Sequence, residues 1–247
     1  MPGRLSGVTV VIGREEPGAL AELLAAEGAT MLHVPLIATA DPADGGAALR
    51  TELRRLSGYD WLAVTSVPGA DRVGEAAART PGVRLAAVGT ATAERLGSLA
   101  RRPVDLVPRT QTARALATEL VARAAGRERV LVAAADRSEG HLATGLRAGG
   151  MSVTTVTAYR TVLRPPSADT IEQILTEADA VLLTSGSTAL SWADAPGAED
   201  FEGLIVAIGP STAAAAERSG VPIAAVAAEH SLQGLVRTLA DVVTGSG

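Results

Sequence analysis

The chain has 247 residues, 47% of them hydrophobic and 20% charged, which is the balance of a folded globular protein and excludes wholesale disorder. A net charge of −5 with no basic run longer than two residues gives no electrostatic footprint for nucleic acid. The chain contains no cysteine, which excludes disulfides, a thiolate nucleophile and cysteine-ligated metal.

Aromatic residues make up 2% of the chain, so the core must rest on Ala, Val and Leu, with Tyr59, Trp61, Tyr159, Trp192 and Phe201 as the only large rings. No stretch of about 18 apolar residues occurs and the N-terminal region has no secretory pattern, so a cytoplasmic protein with no membrane partner is expected.

In chain order, VTVVI (8–12) reads as a strand and PGALAELLAAEG (17–28) as a helix. PLIATAD (35–41) is extended, because proline and β-branched residues disfavour helix there. WLAV (61–64) precedes a helix after Ser66, RLAAV (84–88) precedes ATAERLG, and VDLV (104–107) precedes TARALATELVARA. RVLVAA (129–134) leads into GHLATGLRAGG, TAYRTVLRPP (157–166) is again extended, and AVLLT, LIVAI and PIAAV are strands each followed by a helix. This alternation predicts parallel sheets covered by helices on both faces. Gly28, Gly97, Gly150 and Gly220 are expected to close helices, since glycine enters the left-handed region at least cost.

The second half repeats the first. WLAVTSVPGADRV matches AVLLTSGSTALSW with Ser66 on Ser185, LAAVGTATAERLG matches IVAIGPSTAAAAERSG with Gly89 on Gly209, and VPRTQTARALATEL matches VAAEHSLQGLVRTL with Leu116 on Leu235. The extended stretches at 35–41 and 157–165 fall at equivalent places, which makes them candidates for crossings between two domains.

In parallel α/β sheets, ligands meet the carboxyl ends of the strands. The loops there read IGREEPG, VTSVPG, AVGTAT, AAADRSEG, LTSGST and AIGPST, rich in Ser, Thr and Gly. Backbone N–H groups and hydroxyls at helix N-termini form a receptor for carboxylate or phosphate. Ser66, Ser185 and Thr212 also have the character of helix N-caps, a role compatible with ligand contact. His33, His141 and His230 lie in unlike contexts and suggest no metal site, and neither a dinucleotide fingerprint nor a phosphate-loop lysine occurs.

DAVLLTSGSTALSW, VAIGPSTAAAAERSGV and VTAYRTVLRPP, in that mutual context, resemble the uroporphyrinogen-III synthase family along nearly the whole chain. The resemblance implies two flavodoxin-like domains joined by a two-stranded linker with a cleft between them. One domain would be discontinuous, residues 1–36 plus 164–247, and the other would span 41–158.

It further implies that no cofactor or metal is used and that the partner is a linear tetrapyrrole rich in carboxylates; a monomer is the default expectation. The family's tyrosine falls on Tyr159, as an acid for the departing hydroxyl. Its substrate contacts fall on Thr92, Ser185, Gly186, Ser187, Ser211 and Thr212, with Ser66 added through the internal repeat. Arg14, after the first strand, could pair with a substrate carboxylate. Many relatives carry Pro-Arg where this chain has Ala133-Ala134, so Arg137 is the nearest arginine for that contact. Two other readings stay open: a homologue acting on a different anionic small molecule, and a two-domain anion-binding protein without chemistry.

Overall fold

The computed structural model describes residues 3–124, 126–138 and 140–245. The first part of the chain forms β1 (Thr9–Ile12), α1 (Ala19–Ala26), β2 (Thr30–His33), β3 (Ile37–Ala40), α2 (Ala47–Arg54), β4 (Trp61–Val64), α3 (Val67–Ala78), β5 (Arg84–Ala87), α4 (Thr90–Ala100) and α5 (Ala113–Arg123). It continues through β6 (Arg129–Ala135), α6 (His141–Ala148), β7 (Ser152–Leu163), α7 (Ala168–Glu177), β8 (Ala180–Leu183), α8 (Gly186–Ala193), β9 (Leu204–Ala207), α9 (Pro210–Arg218), β10 (Ala225–Val226) and α10 (Leu232–Val243).

The chain divides into two compact units, one of residues 1–38 with 162–247 and one of residues 39–161. In the first, the strands lie in the order β2-β1-β8-β9-β10, all parallel, which is the flavodoxin order. In the second the order is β5-β4-β6-β7-β3, parallel from β5 to β7, with β3 on the outer edge of β7. The sequence repeat equates β4 with β8 and β5 with β9, and the matching strand orders equate β6 with β1 and β7 with β2. Each sheet therefore takes strands from both copies of the duplication.

Helices cover both faces of each sheet, so the central strands are apolar on both sides. Val10, Ile12, Ala180 and Leu182 join one cluster with Leu235 and Leu239, while Val11, Val181 and Leu183 join another with Trp192 and Phe201. In the second unit, Leu62, Val64 and Leu131 pack against α3 and α4, and Trp61, Ala63, Val130 and Val132 pack against α5 and α6. A repeated carboxylate ties the strand starts together: Asp179 accepts from the Thr9 N–H at 2.8 Å, and Asp60 from the Arg129 N–H at 2.7 Å.

Three local expectations are corrected. VDLV does not form a strand and leaves only a bridge between Ala86 and Leu106. Pro103 and Pro108 bracket it, and the Asp105 carboxylate takes the Leu85 N–H at 2.7 Å that a full ladder would use. Its counterpart PIAAV keeps just the two residues of β10. Gly97 does not end its helix: α4 runs on to Ala100 because Leu96 and Ala100, one turn apart, are both buried. The left-handed closing position is occupied by Arg101, with φ 56°.

Candidate functional site

Ser66 follows β4 and stands at the start of α3, where its Oγ accepts from the Gly69 N–H at 3.2 Å. Ser185 does the same after β8: its Oγ accepts from the Thr188 N–H at 3.2 Å and the Thr188 hydroxyl oxygen accepts from the Ser185 N–H at 3.1 Å. This reciprocal box satisfies two of the free donors that every helix start carries. Both serines are half-buried, so capping and access to solvent coexist. Gly186 and Ser187, the first residues of α8, are half-buried as well.

The next strand ends are built differently. Thr92 and Thr212 are not caps but third residues of α4 and α9, each buried, at 6% and 2% exposure. The expected cap role of Thr212 is thus corrected: the N-caps are Gly89 and Gly209, which contribute no side-chain acceptor. A Cβ at Gly89 would come 2.6 Å from Gln111 Oε1, so the end of the Gln111 side chain sits directly against this helix start. Gln111 accepts from the Thr90 N–H at 3.1 Å and donates to the Thr90 hydroxyl at 2.9 Å, so α4 already has an internal partner for its first turn.

At α9 the equivalent neighbour is the His230 ring, 3.2 Å from where a Gly209 Cβ would be. Ser211 is exposed in that first turn. A Cβ on Gly186 would lie 3.3 Å from the Ala215 Cβ, so α8 and α9 run close together and bring their N-termini to one edge of the sheet. That edge presents Ser185, Gly186, Ser187 and Ser211, a positively polarised surface of N–H groups and hydroxyls, while Thr212 is buried.

Arg14, in the loop after β1, is half-buried, and burial lowers its pKa because the charged form is poorly solvated. Among the described residues no carboxylate pairs with its guanidinium. His33 Nε2 donates to the Arg14 carbonyl at 2.9 Å, which anchors the loop and accounts for that histidine structurally. Arg137 is exposed in the turn after β6, and Glu139 of the same loop lies outside the described residues. Ala133 and Ala134 are buried in β6, and Ala134 lines a small cavity of about 180 Å³ with Thr65, Ser138 and Leu142.

Tyr159 is placed by an irregularity of β7. The register runs Ala134 with Thr157 and then Ala135 with Tyr159, so Ala158 is an extra residue and the pair forms a β-bulge. Normal alternation is broken and both Ala158 and Tyr159 are buried, at 0% and 8% exposure. Burial raises the phenol above the ordinary tyrosine value of about 10. A hydrogen bond with the Ser66 side chain acts downward and the Asp136 charge upward. The phenol therefore stays protonated at neutral pH, with the Ser66 side chain beside it.

In the second unit the structure brings Tyr159 and Ser66 together. Asp136, Gln111 and His230 were not singled out for a role from the sequence, although aligning QTARAL with HSLQGL already equates Gln111 with His230.

Two α/β units of flavodoxin type, with Ser, Thr and Gly at the helix starts that follow their parallel strands, define the class of protein. The family model described as uroporphyrinogen-III synthase HemD matches residues 18–237, and the chain belongs to that family. It is similar in fold to a mutant uroporphyrinogen III synthase of the extremely thermophilic bacterium Thermus thermophilus, at 20% identity, with 98% of this chain and 100% of that chain covered and a TM-score of 0.59. A uroporphyrinogen-III synthetase of Helicobacter pylori matches at 15% identity, covering 95% of this chain and 99% of that one with a TM-score of 0.61. No curated protein sequence matches the chain. No helix among the described residues is long and apolar enough to cross a membrane.

Proposed function

We propose that the protein is a uroporphyrinogen-III synthase, a cyclising lyase that converts hydroxymethylbilane to uroporphyrinogen III with loss of water and inversion of the last ring, in tetrapyrrole biosynthesis. The observation that carries this reading is the family match over residues 18–237. The protonated Tyr159 phenol and the anion-receptive helix starts are the chemistry such a reaction needs.

In this reading Tyr159 donates its proton to the hydroxyl on the first ring and water departs, leaving an azafulvene cation. The cation attacks the substituted carbon of the last ring, the spiro intermediate fragments, and the ring closes inverted. The proton released on final rearomatisation returns to the phenolate, so the tyrosine ends as it began. Substrate carboxylates are held by Ser185, Gly186, Ser187, Ser211 and Thr212 in one unit and by Ser66 and Thr92 in the other. Arg14 and Arg137 supply positive charge. Positioning is the larger part of the task, because the free substrate closes by itself to the uninverted isomer.

The test is to supply purified protein with freshly made hydroxymethylbilane and separate the isomers. The type III isomer should exceed the spontaneous type I background, and its absence would overturn the assignment. Tyr159→Phe should lower turnover about 100-fold or more while KM changes little.

A further inference from the structure

We propose that Asp136 is a positioning residue for the Tyr159 phenol, acting as a clasp across the bulge in β7. The inference rests on the reading of Tyr159 as the proton donor. Asp136 brackets that residue on both sides: its own N–H donates to the Tyr159 carbonyl at 3.1 Å, and its Oδ1 accepts from the Thr161 N–H at 3.2 Å.

The need for a clasp follows from the register. A bulge interrupts the ladder, and a slip of one residue in a strand turns every side chain to the opposite face. Here the slip would remove the extra residue at Ala158 and swing the phenol away from Ser66. The ladder from β6 ends at Ala135, so beyond it that edge of β7 depends on other partners, while β3 pairs with the opposite edge. Asp136 supplies two of those partners, and the Arg160 side chain adds a contact by donating from Nε to the Asp41 carbonyl at 2.8 Å. The Asp136 side chain is exposed and lies outside the core, whereas the ring it seats belongs to the core. Its contribution is thus to the placement of that one ring.

The experiment compares Asp136→Ala, Asp136→Asn and Tyr159→Phe in the full chain. The chain has two tyrosines, so a Tyr59→Phe background leaves Tyr159 as the only phenol for an ultraviolet titration. Asp136→Ala should lower kcat at least tenfold with KM within about threefold, and its Tyr159 phenol should ionise at lower pH than in Asp136→Asn, because both variants remove the Asp136 charge but only the alanine lets the ring leave its buried seat. Asp136→Asn keeps an oxygen that accepts from the Thr161 N–H and should recover most of the lost kcat. The melting temperature should stay near that of the parent for Asp136→Asn.

The proposal is overturned if Asp136→Ala turns over like the parent, if its phenol titrates like that of Asp136→Asn, or if Asp136→Asn is as impaired as Asp136→Ala. Should Tyr159→Phe itself keep full turnover, the donor role of Tyr159 fails instead, and the same series of assays tells the two failures apart.

Discussion

Arg14 and Tyr159 are both ionisable side chains withdrawn from water, and burial acts on each against its charged form. For Tyr159 the sign favours the proton: a raised phenol is protonated below its pKa, so turnover should show no loss from this group until the pH passes about 10. A pH profile of kcat with an alkaline limb well below that value would contradict the assignment. For Arg14 no carboxylate among the described residues pairs with the guanidinium, which leaves its donors for an incoming anion. Arg14→Met should raise KM about tenfold, leave kcat within threefold, and not lower the melting temperature, since a partly desolvated charge is removed without stranding a partner. Tyr159 was visible in the sequence through the TAYRTV motif, but its orientation was not. A bulge adds one residue to a strand and leaves no compositional mark, so whether Tyr159 or Ala158 faced the helices could be decided only by the pairing with β6.

At the scale of single elements, the helix starts divide into two kinds. Ser66 and Ser185 have side chains already engaged as caps, so a ligand can use only their remaining lone pairs and the neighbouring N–H groups. Ser185→Ala should cost about 1 kcal/mol of stability through the lost cap. Ser185→Asp should keep that stability, because aspartate caps equally well, yet weaken binding of a polycarboxylate by like-charge repulsion. Thermal melting beside KM measurements separates the two effects, and unchanged KM in Ser185→Asp would remove Ser185 from the substrate surface. Gly89 and Gly209 are caps of the other kind, and the repeat makes their difference interpretable: Gln111 occupies the α4 start while a histidine stands at α9. The sequence located these loops because strand, turn and helix signals follow one another closely there. It misplaced the end of α4, since the tendency of Gly97 to stop a helix is worth only about 1 kcal/mol, less than the burial of Leu96 and Ala100.

Over the whole chain, the duplication and the contacts follow different lines. The repeat divides the chain near residue 124, whereas the compact units are 39–161 and the remainder. A fragment 1–124 would hold β1 and β2 without β8 beside them, and β4 and β5 without β6. Neither half should fold alone, and mixing the two fragments should restore a cooperative melt; a native-like circular dichroism spectrum and melt for either fragment by itself would contradict this. The sequence by itself determined the α/β class, the strand-end loops and the existence of a repeat, because each is written in local periodicity and composition. Only the tertiary structure decided which copy's strands share a sheet, how β7 bulges to aim Tyr159, and that Asp136 holds it there. Those depend on backbone pairing between segments distant in sequence, where hydrogen-bond register rather than residue type sets the outcome.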